Sequence, residues 1–134
     1  MGGPASASFA SVTIKNHSVD EIHWATAQVF EADGYRGGKT GPGDTVWEKE
    51  ASRLTTISRD GLVAAQAGAV TIERVRTQLV GVGDKTYRLQ CTAYMVSSAG
   101  DSFFENEVRL SNMRSAPYQM MLGKVQKTLE EAYK

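Results

Sequence analysis

Between Val70 and Val96 apolar and polar residues alternate along two arms joined by Gly81-Val82-Gly83-Asp84-Lys85, which predicts a long β-hairpin. In the second arm Tyr87, Leu89, Cys91, Ala93 and Met95 share one face, and Arg88, Gln90, Thr92 and Tyr94 share the other. The first arm is less regular. Val75 and Leu79 stand against Arg74, Arg76 and Gln78, while Glu73 falls with the apolar set, predicting a bulge or a frayed start.

The same alternation marks Phe9 to Lys15 as a half-buried strand, with Ala10, Val12 and Ile14 inward. Thr45 to Leu54 sets Trp47, Lys49, Ala51 and Arg53 against Val46, Glu48, Glu50 and Ser52. Polar residues on both faces predict a strand near a sheet edge, with Trp47 accessible there. Phe103 to Leu110 predicts a further strand after the turn Ala99-Gly100-Asp101-Ser102, and Thr55 to Ala69 shows no clear period.

Two segments carry the helical period instead. Ser18-Val19-Asp20-Glu21 is a capping box, and Val19, Ile22, Thr26, Val29 and Phe30 form a stripe ending at Asp33-Gly34. Trp24 falls opposite that stripe, where it is either covered by a neighbouring loop or available to a partner. From Ser115, with Pro117 in the first turn, the stripe Tyr118, Met121, Leu122, Val125, Leu129 and Ala132 predicts a second helix. Between the first helix and the next strand, Tyr35 to Asp44 reads as a glycine-rich connector.

This order (strand, helix, antiparallel meander, helix) predicts an α+β fold in which two helices pack on one face of a four- to six-stranded antiparallel sheet, a two-layer sandwich. Residues 9–134 read as one domain, and 1–8 as a flexible leader or cloning scar. A first strand, an acid-capped helix carrying an aromatic (Ser18 to Trp24), a meander and a long C-terminal helix together resemble the helix-grip architecture. The resemblance points to small helix-grip domains of bacterial envelope lipoproteins and, more distantly, to START-like ligand binders. It implies a sheet gripping the last helix and brings no site residue with it. The lipidated N-terminal cysteine of the lipoprotein group is not within this sequence.

Charge narrows the partners. Lys plus Arg equals Asp plus Glu at 15 each, so no net field draws the chain to nucleic acid or an anionic membrane surface. No apolar run has the length of a membrane span. The compartment stays open between cytoplasm and a bacterial periplasm or envelope reached with a signal since removed. The lone Cys91 leaves no intramolecular disulfide and reads as a small buried hydrophobe.

Candidate chemistry is sparse. Gly38-Lys39-Thr40 lacks the upstream glycine of a phosphate loop and follows a helix where such a loop follows a strand. His17 and His23 are not at the i, i+4 spacing of helical metal ligands. Glu48 and Glu50 share a strand face and are either an acid/base pair or a solvated surface. No cofactor or metal is expected. The reading is a non-enzymatic interaction or scaffolding domain, a possible role being that of an envelope accessory protein, with a carrier of a small apolar ligand between sheet and helices as the alternative. Its candidate surface is Arg74, Arg76, Arg88, Gln90 and Tyr94 with Trp47 and Trp24, offered to another protein or to self-association through the open sheet face or an edge strand.

Overall fold

The structure is a computed structural model that describes residues 9–41, 43–50, 71–97 and 105–133; the side chain of Lys39 is not among them. The readings made for 1–8, 51–70 and 98–104 lie outside the described residues. The elements run β1 (Ala10–Lys15), α1 (Val19–Ala32), β2 (Arg36–Gly41), β3 (Asp44–Glu50), β4 (Thr71–Gly83), β5 (Thr86–Ser97), β6 (Asn106–Arg109), a 3₁₀ turn (Asn112–Arg114) and α2 (Ala116–Ala132). Both helices pack on one face of an antiparallel sheet, giving the two-layer α+β sandwich expected.

Strand order is β1-β5-β4-β3-β2, with β6 also paired to β5. β1 takes the half of β5 from Thr86 to Cys91 and β6 takes Tyr94 to Ser97, so the two lie end to end along one side of β5. β2 to β6 form the expected meander, because each is joined to the next in sequence and pairs with it.

α1 begins where its capping box places it. The Glu21 N–H donates to Ser18 Oγ (3.1 Å), and the Ser18 N–H donates back to Glu21 Oε1 (3.1 Å). Gly34, at φ 96°, takes the left-handed position past the helix end that a residue with a Cβ resists. The buried stripe is Ile22, Ala25, Thr26 and Phe30, while Val19, expected inward, is 37% exposed. In α2 the stripe Tyr118, Met121, Leu122, Val125 and Leu129 is buried and Ala132 is exposed. Ser115 sits at the expected cap, yet its side chain bonds no helix N–H. The preceding 3₁₀ turn already holds Ser115 in right-handed helical backbone (φ −77°, ψ −17°), whereas a capping hydroxyl needs an extended one.

Three expectations are corrected. The glycine-rich connector is an edge strand, β2, with Gly37 paired to Trp47 and Gly38 to Val46. β3 is therefore internal, between β2 and β4, and Trp47 is 2% exposed in the core instead of accessible at an edge. The pairing of β4 also runs unbroken through Glu73; its irregularity lies between Gly81 and Gly83, beside the turn where Lys85 adopts φ 51°.

Trp47 explains the strand that the glycines hide. Its indole stacks on Phe30 (centroids 5.1 Å apart), and its Nε1 donates to Thr77 Oγ1 at 2.9 Å. A Cβ at Gly37 would meet the six-membered part of that ring at Cε3, Cδ2 and Cζ3. An aromatic lying across the strand in this way supplies the burial that the glycine lacks.

Candidate functional site

The pleat sorts the hairpin residues cleanly. On the face turned away from the helices the cross-strand rows are Arg74–Tyr94, Arg76–Thr92, Gln78–Gln90 and Val80–Arg88. β3 adds Asp44, Val46 and Glu48, paired with Gln78, Arg76 and Arg74. Five of the seven predicted surface residues (Arg74, Arg76, Arg88, Gln90, Tyr94) therefore share one helix-free face.

Arg74 is the hub of this face. Its Nε donates to Glu48 Oε2, and its Nη1 donates to Glu107 Oε2 (2.9 Å) and Glu105 Oε2 (3.2 Å). Burial lowers the guanidinium's pKa, and the hydrogen bonds to Glu107, Glu48 and Glu105 more than reverse that, so the net shift is upward. With its side chain 14% exposed, Arg74 is a brace joining β3, β4 and the β6 segment. Arg76 is the more accessible cation, its side chain 44% exposed. Its Nη2 donates to Glu107 Oε2 (2.8 Å), and its guanidinium carbon lies 5.3 Å from the Tyr94 ring centroid. Farther along, Arg88 Nε donates to Gln90 Oε1 (3.1 Å) along β5, and Gln90 Nε2 donates across to Gln78 Oε1 (2.8 Å) on β4.

Beside Arg76 the sheet forms a groove of about 440 Å³ whose lining includes Thr40, Asp44, Val46, Arg76, Gln78, Gln90 and Thr92. It offers hydroxyls, amides, one carboxylate and one guanidinium, with Phe9, Val46 and Cys91 as its apolar part. Such a surface recognises by hydrogen bonds.

The helix side is built differently. Between α1 and the sheet, the space bounded by Val19, Ile22, His23, Thr26, Thr45, Thr77, Leu79 and Leu89 has a volume of about 30 Å³. That is one water's share of liquid volume, roughly a tenth of a small-molecule pocket. Tyr87 and Met95, on the apolar face of the hairpin, pack against the core cluster. Trp24 is 41% exposed, with Tyr133, just beyond the end of α2, edge-on to it at 6.2 Å. Neither tryptophan joins the arginine face.

Two tyrosines converge on the carboxylate that broke the sequence pattern. Glu73 Oε2 accepts from Tyr118 Oη (2.8 Å) and Tyr35 Oη (3.1 Å), tying β4 to α2 and to the start of β2. Burial first, and then the Glu73 charge, raise the Tyr35 hydroxyl far above the ordinary phenol range. Burial and the hydrogen bond to Glu73 raise that of Tyr118. Lys49 Nζ lies over the Tyr35 ring, 4.6 Å from its centroid, and pairs with Asp33 Oδ2 (3.1 Å). The cluster is a staple between layers, and Glu73 was visible in sequence only as an acid out of phase.

The remaining candidates are dispersed. Glu48 is held by Arg74 and Glu50 is exposed. His17 Nδ1 faces Glu21 Oε1 (3.2 Å), while His23 stacks at 6.3 Å on Trp47. Among the described residues no cluster of three or more metal-ligating side chains occurs. Cys91 is buried, and burial pushes its thiol up to about 12, which leaves it unreactive at neutral pH. No described helix is long and apolar enough to cross a membrane.

No family model matches the sequence, and no curated protein does. Among solved structures the chain is similar to one described as the adenylate sensor from AMP-activated protein kinase, crystallised in complex with 5-aminoimidazole-4-carboxamide 1-β-D-ribofuranotide. The match covers 90% of this chain and 95% of that one, with a TM-score of 0.50 and 13% sequence identity. At that identity the likeness is one of fold, an α+β arrangement that this chain shares along most of its length.

Proposed function

We propose that this domain is a non-enzymatic binding module that works through its helix-free sheet face. The observation that carries the reading is the contrast between the two sides of the sheet. The space between α1 and the sheet is about 30 Å³, whereas the helix-free face carries a groove of about 440 Å³ beside Arg76; a second groove, of about 420 Å³, lies on the helices themselves between Val29 and Lys124 and does not open between the layers. Arg76, which lines the groove, is tied to Glu107, and Glu107 in turn to Arg74, so the groove's cation is positioned before any ligand arrives. A carrier of apolar molecules would place its cavity between the layers, where the side chains of Phe30, Trp47, Leu122 and Val125 already fill the space.

The structurally similar protein is described as an adenylate sensor bound to a ribonucleotide, which makes AMP a natural first probe for a polar groove. Element order also supports the finer reading of a helix-grip accessory domain of the cell envelope. Ligand-observed NMR with AMP and a panel of small polar fragments tests the proposal on wild type and an Arg76→Ala/Gln90→Ala variant. Probes that bind wild type and are lost in the variant are expected. Probes bound equally by both would place the site elsewhere and overturn it.

A further inference from the structure

The two edges of the sheet are treated differently. Along β1, backbone groups of Ser11 and Thr13 that point away from β5 are capped by α2. Gln119 accepts from the Ser11 N–H (3.1 Å) and donates to the Ser11 carbonyl (2.7 Å), while Gln126 donates to the Thr13 carbonyl (2.6 Å). These amides occupy the positions a further strand would use. β2 ends the sheet on the other side, and among the described residues no side chain hydrogen-bonds to Arg36–Gly41. Gly37 and Gly38 bring no side chain to this edge, and a Cβ built at Gly38 would meet nothing within 4 Å. Closely approaching backbone is the surface presented.

Charge indicates the occupant. Arg36 stands at one end of β2, on the helix-free face opposite Glu48. Asp44 stands beside the other end, paired with Gly41 and lining the groove of the same face. Glu48, Glu105 and Glu107 are engaged by Arg74, whereas among the described residues neither Arg36 nor Asp44 has an ion-pair partner. An antiparallel copy of β2, related by a two-fold axis through Gly38, sets Gly38 against itself and Arg36 against Thr40. Residues opposed in this way share a face, as the pleat requires. Each Arg36 then lies about two strand spacings, roughly 10 Å between Cα atoms, from the other copy's Asp44. The two side chains together close that distance. The arrangement is self-complementary, and with 15 charges of each sign no net repulsion opposes it.

We infer that β2 is a homodimerisation edge, on which a second copy of this chain docks strand to strand with reciprocal Arg36–Asp44 ion pairs. The second copy's Arg36 then flanks the groove at Thr40, although the dimer stands whatever the groove binds. A six-residue ribbon is a small interface, which puts the dissociation constant in roughly the micromolar to millimolar range.

Sedimentation velocity on the full chain over roughly 1 to 1,000 µM tests this at low and high salt. A salt-sensitive monomer–dimer equilibrium is expected. Arg36→Glu and Asp44→Arg should each weaken it about tenfold, because each turns two attractive contacts into two repulsive ones. The double charge swap should recover most of the loss, and circular dichroism confirms that each variant is folded. A chain that stays monomeric throughout overturns the inference. So does a dimer untouched by either reversal, or one that the swap fails to restore.

Discussion

Two neighbouring glycines in β2 should respond in opposite ways to the same substitution. In an ordinary strand Gly→Ala stabilises by about 0.4–1 kcal/mol, because the unfolded chain loses freedom. Neither Gly37 nor Gly38 has a positive φ, so the native backbone adds no strain of its own. At Gly38 the new methyl enters open space, and a gain of that size is expected. At Gly37 it would lie 2.7 Å from both Cδ2 and Cζ3 of Trp47, well inside van der Waals contact. The indole has no room to retreat. Phe30 stacks on it with centroids 5.1 Å apart, and Thr77 holds its Nε1 at 2.9 Å. Overpacking of this kind costs about 1–3 kcal/mol, which outweighs the entropic gain and leaves Gly37→Ala destabilised by about 1–2 kcal/mol.

Urea denaturation followed by far-UV circular dichroism measures both variants, at low micromolar concentration so that self-association does not enter. The separation should be about 1.4–3 kcal/mol, with a Tm difference of roughly 4–12 °C for a chain of this size. A Gly37→Ala variant as stable as Gly38→Ala would refute the placement of Trp47 across β2.

Three further outcomes follow from the same contacts. Arg74→Met leaves Glu48, Glu105 and Glu107 close together without their shared cation, which should cost about 1–3 kcal/mol in urea denaturation at low salt; a loss below about 0.5 would show the brace to be ornamental. Tyr118→Phe and Tyr35→Phe should each cost about 1–2 kcal/mol, and the double variant more than their sum because Glu73 then loses both donors; strict additivity would count against a shared carboxylate. Stability should fall as the pH rises above about 9 to 10, since Cys91, Tyr35 and Tyr118 have raised pKa values when folded and release protons first from the unfolded chain. Each contributes a slope of about −1.4 kcal/mol per pH unit between its unfolded and folded values, and Cys91→Ala should flatten the onset near pH 9.

The parts legible in sequence are those whose cause is local. α1 runs from Val19 to Ala32 as expected because its start is written in four consecutive residues and its end in Gly34. The rows of the hairpin follow from alternation, so Arg74, Arg76, Arg88, Gln90 and Tyr94 were correctly assigned to one face. What was illegible depends on residues distant in the chain. β2 has no apolar alternation because the side chain that covers Gly37 belongs to Trp47. β3 resembled an edge strand because Lys49, on the helix side, reaches along Tyr35 to Asp33 at the rim of the layer. Glu73 looked like a break in the pattern because the tyrosines that accommodate it lie 38 and 45 residues away. Similarly, Arg74 read as part of an open sheet face because the carboxylates that engage it come from positions 26 to 33 residues distant.

The filled space between the layers and the groove beside Arg76 together predict binding on the helix-free face of the sheet and none between the layers. Backbone amide chemical-shift mapping tests it most directly, using whichever of AMP or the polar fragments binds with highest affinity. The account predicts changes concentrated at Val46, Arg76, Gln78, Gln90 and Thr92, around the groove. Changes centred instead on Ile22, Leu89, Leu122 and Leu129, in the core between helices and sheet, would contradict it.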